Sequence, residues 1–177
     1  GFRNNKTLLM PLGEINGVEP GCVIEATEEQ PSFAVSTEMI GRVLDGNGKP
    51  IDGKGTLSLG TEYPIMGTPI NPLNRTRINQ PLDVGVRSIN GLITFSKGQR
   101  VGIMAGTGVG KSVLLGMIAR NTEADINVIA LIGERGREVK EFIEDNLGPE
   151  GLKRSIVIAA ASDEPPLVRL RGAFIAT

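Results

Sequence analysis

Eight residues, Ala105-Gly106-Thr107-Gly108-Val109-Gly110-Lys111-Ser112, leave few folds open to this chain. They stand between the apolar run Arg100-Val101-Gly102-Ile103-Met104, which predicts a strand, and Val113-Leu114-Leu115-Gly116-Met117-Ile118-Ala119-Arg120, which predicts a helix. A glycine-rich turn from strand into helix is the setting of a phosphate-binding P-loop. Its glycines let successive backbone N–H groups converge on one concavity. The following helix aims the positive end of its dipole at the same point. Gly106, Thr107, Gly108, Val109, Gly110, Lys111, Ser112 and Val113 are therefore the candidate phosphate site, and Lys111 adds a full positive charge for the outer phosphates. The Ser112 hydroxyl is a candidate magnesium ligand. The strict pattern opens on glycine where this chain has Ala105, which requires a negative φ there. The bland alternative is a turn that only joins a strand to a helix; Gly-Lys-Ser and both flanks favour phosphate.

Composition narrows the chemistry further. The 177 residues suffice for one sizeable domain, or one and a part. Although 40% of them are apolar, no run approaches the roughly 20 apolar residues of a membrane span, and no secretory signal is visible. With a net charge of −1, no bulk positive field draws the chain to nucleic acid or anionic lipid. Histidine is absent, which excludes histidine metal sites, Ser-His triads and histidine general bases. Proton transfer falls to carboxylates, lysine or water. The single cysteine, Cys22, cannot form an internal disulfide, and Val23 and Ile24 beside it point to a buried, inert thiol rather than a reactive one. Gly1-Phe2-Arg3 does not read as a start, and Gly172-Ala173-Phe174-Ile175-Ala176-Thr177 reads as a helix cut in its course. The chain is expected to be an internal piece of a longer protein.

Residues 1 to about 60 are rich in β-branched residues and turn signals. Cys22-Val23-Ile24-Glu25-Ala26 and Phe33-Ala34-Val35-Ser36 predict short strands. The doubled signal in Asp45-Gly46-Asn47-Gly48-Lys49-Pro50 predicts a tight hairpin-type turn. A calcium loop there would need a closing glutamate, and none is present. Pro64, Pro69, Pro72 and Pro81 make residues 61–81 an extended surface crossing. From about residue 82 strands and helices alternate. Residues 126–132 and 155–161 are nearly continuous apolar runs, the mark of strands covered on both faces of a parallel sheet. Between them, Val139, Phe142, Ile143 and Leu147 share one helical face and Gly148 supplies a stop, leaving the acidic residues as a solvated face.

The run 126–132 leads straight into Gly133-Glu134-Arg135-Gly136-Arg137-Glu138. Open parallel sheets bind ligands at the carboxyl ends of their strands, where the P-loop also sits. Glu134 is thus a candidate to hold and polarise the water that attacks a γ-phosphate. Arg135 is a candidate to neutralise developing charge. Lys111, Glu134 and Arg135 form the candidate catalytic set. Glu138, one helical turn on, either reaches magnesium through water or is an acid in a helix's first turn needing no other reason. For the whole cluster the competing reading is a helix cap with a surface ion pair.

These motifs resemble the hexameric rotary-type ATPase family over nearly the whole chain. The landmarks are the run from Gly41-Arg42-Val43-Leu44-Asp45 to Ile51-Asp52-Gly53, the loop at 105–112, and Leu131-Ile132-Gly133-Glu134-Arg135-Gly136-Arg137-Glu138. Within the family the chain is most similar to the flagellar and type III protein-export ATPases. Asn71-Pro72-Leu73-Asn74-Arg75, Gly85-Val86-Arg87-Ser88-Ile89-Asn90-Gly91-Leu92 and Asp163-Glu164-Pro165-Pro166-Leu167-Val168-Arg169-Leu170-Arg171-Gly172 carry that likeness, the last leaning flagellar. Ala105 matches the export members.

The resemblance implies an α/β fold: part of a RecA-like P-loop parallel sheet over residues 28–177, preceded over 1–27 by the end of a small β-barrel domain. It implies ATP and Mg2+ as cofactors and a homohexamer with ATP between subunits. Its partners would be export-apparatus proteins and exported protein substrates, with no nucleic acid. The place implied is cytoplasmic, at the face of the export apparatus and peripheral to the membrane through partners. It further implies that a second magnesium-organising aspartate, the adenine contacts, a neighbour's arginine finger and a C-terminal helical domain lie beyond Thr177, so that the piece alone hydrolyses ATP poorly. Two other machines share the fold: the catalytic beta-type subunit of a rotary ATP synthase and a Rho-like RNA translocase. Few aromatic residues and no basic stripe speak against the second.

Overall fold

The computed structural model describes every residue except Glu14, Glu28, Glu29, Leu59 and Thr107. The first 27 residues hold one small antiparallel pair, β1 (Phe2–Arg3) with β2 (Lys6–Thr7). Residues 22–26 form no strand, so nothing covers them and Val23 and Ile24 are exposed. Cys22 is exposed too, contrary to the buried thiol expected, and its sulfur accepts the Glu19 N–H at 3.3 Å.

β3 (Ser32–Val35) lies where a strand is predicted. β4 (Val43–Asp45) runs into the expected tight turn. There Asp45 Oδ1 accepts the N–H groups of Asn47 and Lys49, both at 2.8 Å, which is how an aspartate ties its own turn. β5 (Thr61–Pro64) corrects the expectation of a bare crossing: it pairs antiparallel with β3, and its proline stands at the end of a two-stranded sheet. α1 (Arg87–Leu92) and α2 (Lys111–Asn121) follow, then β6 (Asn127–Ile132). α3 (Gly136–Glu141) continues through a π-helical turn, Phe142–Leu147, into α4 (Gly148–Leu152). Gly148, at φ +67°, breaks the helix but does not end it. β7 (Ser155–Ala160) and α5 (Pro166–Ala176) close the order.

The main sheet is parallel, in the order β4-β7-β6. Side chains alternate across it, as the two-residue period of a strand demands. On one face Val43, Val157 and Leu131 pack with Ala119 of α2 and with Phe142 and Leu147 of the π-turn. On the other, Leu44 and Ile158 pack with Met39, and Phe33 and Ile175 cover them in part. β7 is buried on both faces as expected, whereas β6 keeps Val128 half exposed. Arg154, just before β7, donates to the carbonyls of Ala119, Thr122 and Ala124 at 3.1, 2.6 and 3.0 Å. This caps the negative end of α2 and ties the P-loop helix to the sheet.

Residues 100–104 do not form the predicted strand. No described strand pairs with them, so their backbone gains no ladder, and Val101 and Met104 stay exposed. A run of strand formers without a neighbour makes no sheet.

One ion pair anchors the approach to β4. Arg42 Nε and Nη2 grip Asp52 at 2.7 and 2.9 Å, and Asp52 also accepts the N–H groups of Val43 and Lys54. These contacts, the Arg42 guanidinium foremost, hold the Asp52 carboxyl far below the usual carboxylate range. A depressed folded-state pKa gives stability that is complete above the ordinary value of ~3.9 and lost as the pH falls below it. Asp52→Ala should therefore flatten the acid limb of a melting-temperature-against-pH curve. At neutral pH it should cost about 1–3 kcal/mol by stranding the buried Val43 N–H. An unchanged acid limb in urea or thermal unfolding would contradict this role.

Candidate functional site

The P-loop residues meet the second cluster in one cleft of about 680 Å³. Gly106, Gly108, Gly110, Lys111, Ser112 and Val113 line one side, and Gly133, Glu134, Arg135 and Glu138 the other. Val109 is exposed within the loop, and Thr107 lies outside the described residues. The two clusters meet although 100–104 pairs with nothing, because α2 is held to the sheet through its own core contacts and Arg154.

The loop has the geometry its glycines predict. Gly108 and Gly110 sit at φ +78° and +95°, where an L side chain is strained. Ala105 keeps a negative φ, so alanine is no strain there. Gly106 needs neither a positive φ nor room from protein atoms, since a Cβ there would meet nothing within 4 Å. The space beside it is open and leaves room for a bound phosphate. α2 begins directly from Gly110 without a capping side chain and without an acid in its first turn, so its first N–H groups are left for an anion. Lys111 Nζ donates to the Ala105 carbonyl at 3.0 Å, folding back over the loop. Two of its three protons remain for a ligand.

Across the cleft, the loop after β6 is pinned to the loop after β7. Gly133 N–H donates to the Ala160 carbonyl at 2.7 Å, and Ser162 N–H to the Glu134 carbonyl at 2.9 Å. Glu134 thereby has a fixed backbone and an exposed side chain. α3 starts after Arg135, which makes no side-chain capping bond. Instead Arg135 Nη1 pairs with Glu138 Oε1 at 2.9 Å. The Arg135 guanidinium beside it holds the Glu138 carboxyl below the usual carboxylate range. Both candidate carboxylates line the cleft. Being exposed, the Arg135–Glu138 pair is weak and easily exchanged for a ligand.

Three further residues line the cleft: Glu141, Asn146 and Ser162. Ser162 lies two residues past β7, and the strand-end rule that located Glu134 locates it too. Glu141 and Glu144 are both exposed, as expected of a solvated helix face; Glu141 also lines the cleft, and Glu144 pairs with Lys140 at 3.8 Å. Asn146 comes into place through the π-turn, which a 3.6-residue period does not reveal.

Known proteins are similar to this chain. The model of the ATP synthase alpha/beta family nucleotide-binding domain matches residues 85–177. The flagellum-specific ATP synthase of Pseudomonas aeruginosa is 54% identical over 177 residues, all of this chain and 39% of that protein. The protein of the same description from Bacillus subtilis is 54% identical over 181 residues, again all of this chain and 40% of that protein. The chain thus spans about two fifths of the length of these curated relatives. A prototypical ATPase from the type III secretion system of pathogenic bacteria superimposes with a TM-score of 0.77 at 45% identity, over 82% of this chain and 42% of its own. The assembled ATPase EscN of enteropathogenic E. coli, solved with its central stalk EscO, gives 0.77 at 45% identity, over 82% and 36%.

Proposed function

Because this chain belongs to the ATP synthase alpha/beta family, we propose that it is the nucleotide-binding part of an ATP-hydrolysing subunit, one of a homohexamer that energises flagellar (type III) protein export. One observation carries the reading: Glu134 lines the same cleft as Lys111 and Ser112. A subunit that only binds nucleotide needs the loop alone. A carboxylate facing the loop adds the means to hold and polarise a water. Flagellum-specific relatives and type III secretion ATPases support an export machine over a rotary ATP synthase.

The geometry supports the following roles. N–H groups at the start of α2 and the Lys111 ammonium bind the β- and γ-phosphates. Glu134 orients the attacking water, and Arg135, released from Glu138, faces the charge that develops on the transferred group. Magnesium fits the donors present: the Ser112 hydroxyl and, through water, the Glu138 carboxylate are the hard oxygens it prefers. When bound it would neutralise charge on the phosphates. Among the described residues no helix is long and apolar enough to cross a membrane. On this reading the protein sits at the cytoplasmic face of the export apparatus through protein partners, and residues 1–27 are the end of a β-barrel domain.

ATP turnover of the full-length protein is expected to be unchanged by single-stranded RNA, because the chain has 3% aromatic residues to stack bases and a net charge of −1. Turnover that rises with added RNA would favour a Rho-like translocase. Co-purification of the full-length protein with flagellar export components would support the export reading.

A further inference from the structure

α2 and the π-turn meet at a glycine. A Cβ on Gly116 would lie 2.6 Å from the Asn146 carbonyl oxygen, 2.8 Å from the Asn146 Cβ and 2.9 Å from its carbonyl carbon. Side chains do not approach backbone that closely, so the contact exists because residue 116 has none. Gly116 is buried inside a helix and has no positive φ, so the demand is for space and not for torsional freedom. The helix alone gives no reason for glycine, which is among the poorest residues for a helix interior.

The position of this seam gives it a consequence for the cleft. Gly116 lies four residues beyond Ser112, on the same face of α2. Opposite it, the π-turn is the direct continuation of α3, which carries Glu138 and Glu141, and Asn146 itself lines the cleft. Phe142 and Leu147 root the turn in the core at 4% and 0% exposure, so it cannot yield freely. A side chain at 116 must tilt α2 or displace α3, and either changes the distance between the P-loop and the carboxylates.

Resting on the ATPase reading above, we propose that Gly116 is a positioning residue for hydrolysis: by letting the Asn146 backbone seat against α2, it sets the gap between Lys111 and Ser112 on one side and Glu134 and Glu138 on the other. Phosphate binding needs only the loop and the start of α2. Hydrolysis needs both walls in register, and a misplacement of about 1 Å can cost ~10²-fold in rate.

The test is Gly116→Ala in the full-length protein, with occupied sites counted by a fluorescent ATP analogue and turnover expressed per occupied site. Turnover per site should fall about 10–100-fold, with nucleotide affinity within about threefold of wild type. Gly91→Ala in α1, where a Cβ meets nothing within 4 Å, should match wild type. Wild-type turnover per site in Gly116→Ala, or a loss of sites in proportion to activity, overturns the positioning role. If Gly116→Ala does not fold, Gly116→Ala/Asn146→Gly removes the 2.8 Å neighbour and keeps the backbone contact. Turnover per site in that double variant below that of Asn146→Gly alone supports the proposal, and turnover equal to that of Asn146→Gly overturns it. A wild-type protein that neither binds nor cleaves ATP overturns the ATPase reading and the proposal with it.

Discussion

Lys111→Ala is expected to abolish nearly all ATP hydrolysis by the full-length protein. Among the described residues the ammonium is the one charge on the loop side of the cleft, and its bond to Ala105 holds it over the concavity. The N–H groups at the start of α2 would still face a phosphate, so some nucleotide binding should survive. Charge building on the γ-phosphate in the transition state would lose its fixed counter-charge. Removing one preorganised donor of this kind costs ~10²–10³-fold in turnover, and loss of a full charge should lie at or above that range. Steady-state phosphate release is the measurement. Wild-type turnover in Lys111→Ala would mean that the loop at 105–112 is not the phosphate site.

Glu134→Gln should separate binding from chemistry. The amide keeps the shape of the side chain and one acceptor oxygen, but is a far weaker base and polariser of water. The Glu134 carbonyl that ties it to Ser162 is backbone and survives the change, so the loop should stay in place. Turnover should fall ~10²–10⁴-fold while ATP affinity stays near wild type. Parallel losses of affinity and rate would instead assign Glu134 to phosphate binding or to the structure of the loop.

Much of the site was legible because its signals are local. The glycines at 108 and 110 announce positive φ, α2 follows from its composition, and Glu134 follows from standing at the end of an apolar strand. What escaped depends on neighbours. Residues 100–104 have a strand's composition but no pairing partner, and Cys22 has apolar neighbours but nothing packed over it. β5 hid behind its prolines because its partner, β3, lies almost thirty residues back, as the pairing of Val35 with Thr61 and of Ser32 with Pro64 shows. Asn146 reaches the cleft only because α3 passes into a π-turn. That turn sits where Gly116 makes room for it, a juxtaposition between elements that no single window of residues contains.

The central claim is that the cleft between the P-loop and the loop after β6 binds ATP and cleaves it there. Single-turnover hydrolysis of labelled ATP, with bound and free nucleotide measured in the same samples, tests this most directly for wild type, Lys111→Ala and Glu134→Gln. The account predicts that wild type binds and cleaves, Glu134→Gln binds and leaves the nucleotide intact, and Lys111→Ala binds poorly and cleaves almost none. Cleavage at the wild-type rate by Glu134→Gln, with nucleotide bound in both, would contradict it.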